Sequence, residues 1–153
     1  MVDSDEHTED GHLTEDLSIR KMMVEKRLKK EEGLLEEVLP PHYSGDDTPE
    51  LLLVCWGSTA GSVREVAGKL KESGKKVATL CFSQLWPLGP DSFLPAMEGA
   101  GRVVCVEGNA TGQFARLVRM VTGFEIKDRI LRYDGLPITP DYILNDLGEI
   151  GIV

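Results

Sequence analysis

The spacing of apolar residues changes repeatedly along this chain and divides it into two parts. Near the N-terminus, Leu17, Val24, Leu28, Leu35 and Val38 recur at helical spacing among Lys and Glu, a narrow apolar stripe on an otherwise charged helix. The spacing predicts a helix from about Thr14 to about residue 39. Thr14 is the expected N-cap, and Glu15 and Asp16 lie in the first turn, where carboxylates meet the positive helix end. Glu25 and Lys29 stand at i,i+4, and Gly33 falls inside the pattern. Pro40-Pro41 ends the helix. Residues 1–13 are polar, with His7 and His12 among carboxylates, and read as an extended linker. Residues 42–49 read as a polar turn.

From residue 50 onward, short apolar runs alternate with amphipathic stretches. Glu50–Trp56, Lys76–Phe82 and Arg102–Glu107 are predicted strands, with a weaker one at Ile130–Tyr133. Between them, Val63, Val66, Ala67 and Leu70 form the i, i+3, i+4, i+7 set of a helix lying on a sheet, closed by Gly74. Phe114, Leu117, Val118 and Val121 repeat that set, and Asp91–Glu98 is a short helix after Leu85-Trp86-Pro87. Thr139-Pro140 is an N-cap with Pro at N1, opening a last helix with Ile143 and Leu147 inward. The expected architecture is an α/β three-layer sandwich with a mostly parallel four- to five-stranded sheet. An acidic linker plus amphipathic helix (residues 1–49) precedes the α/β domain (residues 50–153). Alternation with right-handed crossovers places the first and third strands side by side.

Two of these strands break into similar loops. Leu51–Trp56 runs into Gly57-Ser58-Thr59-Ala60-Gly61, and Arg102–Glu107 into Gly108-Asn109-Ala110-Thr111-Gly112-Gln113. Ser58, Thr59, Gly61, Asn109, Thr111 and Gln113 are therefore expected around one crevice at the strand ends, where α/β folds place ligands or partners. A plainer assignment makes Ser58 or Thr59 a helix cap and the glycines a tight turn. Trp86 is either a surface anchor or a core residue under a loop. The first loop lacks the third glycine of Gly-x-Gly-x-x-Gly and the Gly-Lys-Ser/Thr of a P-loop, so it warrants neither a dinucleotide nor a triphosphate.

Charge and composition narrow the function. The net charge of −9 lies entirely in residues 1–50, which hold 15 acidic and 6 basic residues; the remainder is balanced. Without a basic face, nucleic acid is not an expected partner. No stretch approaches the roughly 20 apolar residues of a membrane helix, and the acidic N-terminus is not a secretory signal. Cys55, Cys81 and Cys105 each fall inside a predicted strand at wide spacing. They are expected to be reduced core thiols of a cytoplasmic protein, not iron–sulfur or zinc ligands. No Gly-x-Ser-x-Gly elbow is present, and His42 sits in a linker. Tyr133-Asp134-Gly135 lacks the first glycine of a thiamine diphosphate motif, and Asn145 follows too soon. No catalytic, cofactor-binding or metal residue is assigned.

An ordered series of short motifs carries a resemblance. Asp5-Glu6-His7, Gly11-His12 and Thr14-Glu15-Asp16 resemble the hinge of 2-oxoacid:ferredoxin oxidoreductase alpha subunits, and Arg20–Arg27 the helix after it. Trp56-Gly57-Ser58-Thr59 with Gly61 and Arg64-Glu65 resembles the family's Gly-Ser-Thr turn. Gln84-Leu85-Trp86-Pro87, Val106-Glu107-x-Asn109 with Gly112-Gln113, and Tyr133-Asp134-Gly135-x-Pro137-x-Thr139-Pro140 follow in order. The resemblance covers nearly the whole chain, but only the C-terminal, transketolase-C-terminal-like domain of the alpha subunit. It implies a complex that oxidatively decarboxylates a 2-oxoacid to an acyl-CoA and passes electrons to ferredoxin, using thiamine diphosphate, magnesium and iron–sulfur clusters. Those cofactors are expected elsewhere in the complex. A thiamine-binding beta subunit and the alpha subunit's preceding domain are the implied partners, and this chain is a non-catalytic assembly domain. Two rivals remain open: a free-standing interaction module, and a small nucleotide-binding α/β protein using Gly57–Gly61.

Overall fold

The structure is a computed structural model describing residues 5–152. It divides into two compact units, one up to Val38 and one from Leu39 onward.

In the first unit, β1 (Glu6–His7) pairs antiparallel with β2 (Leu13–Thr14) ahead of helix α1 (Leu17–Glu36). The stretch expected as an extended linker is thus a small hairpin. Its Glu6 carboxylate takes both guanidinium nitrogens of Arg27, at 3.2 and 2.5 Å, and Glu9 takes Lys26 at 2.7 Å. The N-cap is Asp16, not Thr14. Its carboxylate accepts the Ser18 and Ile19 backbone N–H groups at 2.8 and 3.4 Å, satisfying two orphan donors of the first turn. Thr14 belongs to β2, and its hydroxyl accepts the Asp16 N–H. Glu25 pairs with Lys21 at 3.7 Å in place of Lys29. Met23 is the only buried side chain of α1, while Leu17, Val24, Leu28 and Leu35 are exposed. The hairpin acids reach Lys26 and Arg27, three and four residues after Met23 on one helix face, so the hairpin lies on that face and not on the apolar stripe.

The second unit is a five-stranded sheet between two helical layers. Its strands are β3 (His42–Gly45), β4 (Leu51–Trp56), β5 (Val77–Phe82), β6 (Arg102–Glu107) and β7 (Asp128–Leu131). The spatial order is β3-β5-β4-β6-β7, parallel except for the antiparallel edge strand β3. β4 and β5 are almost wholly buried, which explains their unbroken apolar reading. Helices α2 (Ala60–Glu72) and α5 (Pro140–Glu149) cover one face, burying Val63, Val66, Leu70, Ile143 and Leu147 over Leu53, Cys55 and Val106. Helices α3 (Leu94–Glu98) and α4 (Gln113–Thr122) cover the other, burying Phe93, Met97, Phe114 and Val118 over Leu52, Val54 and Cys105. Phe82 stacks edge-on to Phe93, ring centroids 5.2 Å apart.

In this unit too, element expectations change. Residues 42–45 form the edge strand β3, not part of a turn. The shift has a physical cause in Gly45, which approaches β5 so closely at φ +136° that a Cβ would stand 2.5 Å from the Val77 carbonyl oxygen. The last strand is Asp128–Leu131, two residues earlier than the apolar run suggested. Arg102 on β6 grips Asp128 across the pair at 2.7 and 3.1 Å.

Candidate functional site

The β4–β6 neighbourhood is where the sheet changes direction of winding. The helix after β4, α2, lies on one face; the helix after β6, α4, lies on the other. Parallel neighbours about 4.8 Å apart bring the two strand-end loops together between diverging helices, the usual position of a crevice in such sheets. Ser58, Thr59 and Gly61 follow β4 there, and Asn109, Thr111 and Gln113 follow β6.

The first loop is not a side-chain cap. Gly57–Thr59 form a single tight 3₁₀ turn, with Gly57 at φ +60°. Thr59 donates its hydroxyl backwards to the Trp56 carbonyl at 2.8 Å, and neither Ser58 nor Thr59 accepts a helix N–H. Ser62, one turn into α2, reaches across to the Ile138 carbonyl at 2.8 Å and ties this loop to the segment before α5. Ser58 stays exposed. The Trp56 indole Nε1 is buried and has no hydrogen-bond partner among the described residues.

The second loop is built around a residue that the sequence reading left unassigned. Glu107, the last residue of β6, is fully buried. Its carboxylate accepts the Phe114 N–H at 2.8 Å and the Ala115 N–H at 3.0 Å, so it caps α4 from inside the sheet. Asn109 donates to the same carboxylate at 2.8 Å and accepts the Thr111 and Gln113 N–H groups, both at 3.1 Å. Gly112 completes the bend at φ +63°, with the Arg129 side chain 3.0 Å from where a Cβ would be. Asn109 is therefore a loop organiser, whereas Thr111 and Gln113 remain exposed. The signal for Glu107 was an acid closing an apolar strand two residues before Asn. Burial pushes the neighbouring Cys105 thiol up, and the Glu107 charge adds to it.

Trp86 follows β5 at the C-terminal ends of the parallel strands and is 56% exposed. Tyr133 and Leu136, in the segment after β7, are exposed there too. Arg132 holds that segment. It pairs with Asp134 at 2.9 Å, donates to the Pro137 carbonyl at 2.8 Å and lies 4.7 Å over the Tyr142 ring.

These residues do not fit the cofactors that the resemblance implies. The Asp134 carboxylate is spent on Arg132 and on the Leu136 N–H, so it is not presented to a diphosphate-bound metal. Cys105 faces one core and Cys55 and Cys81 the other, so the three cannot converge on a cluster. Among the described residues, no group of three or more His, Cys, Asp or Glu is arranged to hold a metal. At the opposite sheet edge, a cavity of about 200 Å³ is lined by Lys75, Lys76 and Arg102. Two of those cations are engaged, Arg102 by Asp128 and Lys75 by the Ile152 carbonyl. No described helix is long and apolar enough to cross a membrane.

No protein-family model matches the chain. Among curated proteins, it is 36% identical over 142 residues to 2-oxoacid:ferredoxin oxidoreductase 1, subunit alpha, of Sulfurisphaera tokodaii, covering 90% of this chain and 22% of that protein. Its fold matches the structure of 2-oxoglutarate:ferredoxin oxidoreductase from Magnetococcus marinus with 2-oxoglutarate, coenzyme A and succinyl-CoA bound. That match has a TM-score of 0.77 and 27% identity, over 97% of this chain and 26% of that one. It also matches the alpha chain of a probable 2-oxoacid ferredoxin oxidoreductase from Thermoplasma acidophilum at 32% identity and a TM-score of 0.51, over 72% of this chain and 96% of that one. A split-gene transketolase, at 13% identity and a TM-score of 0.55, shares the fold. The chain spans about a fifth of the length of the curated relatives it matches.

Proposed function

Since the chain belongs to the 2-oxoacid:ferredoxin oxidoreductase alpha-subunit family, we propose that it acts as an assembly domain of such an enzyme, holding the catalytic parts in register without performing the chemistry. The enzyme in question oxidatively decarboxylates a 2-oxoacid to an acyl-CoA and hands the electrons to ferredoxin, in the cytoplasm. Thiamine diphosphate, magnesium and iron–sulfur clusters are held by its other parts.

The observation that carries this reading is the use to which the site's polar groups are put. Glu107, Asn109, Thr59, Arg132 and Asp134 all spend their hydrogen bonds on backbone or on each other. A set of groups consumed in fixing loops is suited to presenting a rigid surface and has no proton or nucleophile to offer. What that surface presents at its exposed positions is Ser58, Thr111, Gln113, Trp86, Tyr133 and Leu136. Aromatic and apolar residues on rigid loops are the composition of an interface centre. The proposed occupant is the thiamine-binding beta subunit or the remainder of the alpha subunit. The length of the relatives, four to five times that of this chain, supports an occupant of that kind.

The test is purification of the tagged chain from its own cells. A beta-type subunit should accompany it, and the preparation should reduce a viologen dye when given a 2-oxoacid and coenzyme A. Calorimetry of the isolated chain with thiamine diphosphate and magnesium should give no micromolar binding. Recovery of the chain alone, or tight cofactor binding by it, would overturn the proposal.

A further inference from the structure

One pair of side chains is used neither by the loops nor by the assembly reading. Cys55 on β4 and Cys81 on β5 are register partners on adjacent parallel strands. Their sulfur atoms lie 3.4 Å apart on the face covered by α2 and α5. Neither is in a disulfide. We infer that Cys55 and Cys81 are a redox-active dithiol that closes to an intrachain disulfide when a peroxide reaches Cys81.

Three features of the site argue for it. Register partners on neighbouring strands have Cα atoms about 5 Å apart, inside the range a disulfide spans, so only the sulfurs must close, from 3.4 Å to about 2.0 Å. Access is asymmetric: Cys55 is fully buried, whereas Cys81, on the strand next to the edge strand β3, keeps 5% of its surface exposed. The charge around Cys81 favours its thiolate. The Cys55 thiol donates a hydrogen bond to the Cys81 sulfur, and the Arg64 guanidinium on α2 adds positive charge; together they outweigh burial and hold the Cys81 thiol well below its ordinary value. The same contact pushes Cys55 up. From the edge strand, His42 is the register partner of Cys81 on the same sheet face. Cys105 lies in the other core.

The chemistry balances in two steps. The Cys81 thiolate attacks one peroxide oxygen, the O–O bond breaks, and hydroxide leaves to become water, giving a sulfenic acid. The Cys55 sulfur then attacks the Cys81 sulfur, and the S–O bond breaks as water departs with the Cys55 proton. Two thiols are oxidised, one peroxide is reduced, and two waters are released.

The experiment counts thiols in denaturant after hydrogen peroxide treatment of the folded chain. The count should fall from three to one without dimerisation, return to three with dithiothreitol, and give a Cys55–Cys81 crosslinked peptide by mass spectrometry. Cys105→Ser should still lose two thiols. Cys55→Ser should stop at a Cys81 sulfenic acid trapped by dimedone. If a variant fails to fold, the crosslink in the unsubstituted chain decides the matter. Three surviving thiols, a crosslink through Cys105, or trapping confined to Cys105 would each overturn the inference.

Discussion

Glu107 shows how much one carboxylate can hold in this protein. It is fully buried, yet it accepts two helix N–H groups and the Asn109 amide. Glu107→Ala would orphan the Phe114 and Ala115 donors inside the protein. We expect a loss of about 3 kcal/mol, from the cost of hydrogen bonds to a charged acceptor and of unpaired buried donors. For a chain of this size that lowers the melting temperature by about 6–12 °C. Glu107→Gln should also destabilise, because its NH₂ group would face a backbone donor. Thermal unfolding of the two variants measures both; a melting point unchanged in either would show that the cap is dispensable. Asn109 was legible as a loop residue from its type alone, and Glu107 was not. Its role depends on two backbone amides seven and eight residues ahead, and no period in the sequence reports that distance. Thr59 was legible only as a cap-forming type. Its backward bond to Trp56 follows from the 3₁₀ turn that Gly57 permits.

At the scale of elements, the first unit is held by charge more than by packing. α1 buries only Met23, while the hairpin is clamped by Glu6–Arg27 and Glu9–Lys26. Arg27 and the His7 N–H hold the Glu6 carboxyl down at about 2, and Lys26 holds Glu9 below its ordinary value. Because the folded value lies below the unfolded one, the clamp contributes fully above the ordinary carboxylate range. It is lost as pH falls from there toward about 2. Amide NMR spectra of residues 5–36 should therefore lose hairpin dispersion between those limits, and sooner at high salt. Glu6→Gln should reduce the dependence to the part that Glu9 and Lys26 supply. Spectra indifferent to pH in the unsubstituted chain would assign the hairpin to other forces. This unit was the least legible part of the sequence. Two-residue strands carry no alternation, and Thr14 and Asp16 are equally good cap types two positions apart. β3 escaped for a related reason: an antiparallel edge strand of His, Tyr, Ser and Gly, with one face toward solvent, has no apolar run to announce it.

For the molecule as a whole, the topology of the second unit was the part most readable in advance. Buried parallel strands are apolar throughout, their helices carry a four-residue stripe, and right-handed crossovers leave few strand orders open. That logic put β4 beside β6. It says nothing about which exposed residues meet another polypeptide, because partner contacts leave no period in one chain. Surface exposure selects the residues to substitute. Trp86, Tyr133 and Leu136 are 56%, 72% and 61% exposed and all follow the C-terminal ends of parallel strands. An exposed residue contributes little to its own fold, so Trp86→Ser, Tyr133→Ser and Leu136→Ser should each change stability by no more than about 0.5 kcal/mol. If this edge faces the rest of an oxidoreductase, the same substitutions should weaken recovery of the beta-type subunit, with Trp86→Ser the most damaging. Control substitutions at Lys71 and Glu72, exposed at the far end of α2, should leave recovery unchanged. Loss of partner together with a fall in melting temperature would make these side chains structural. Full recovery with all three replaced would move the interface to another surface, with the exposed apolar stripe of α1 the next to be substituted.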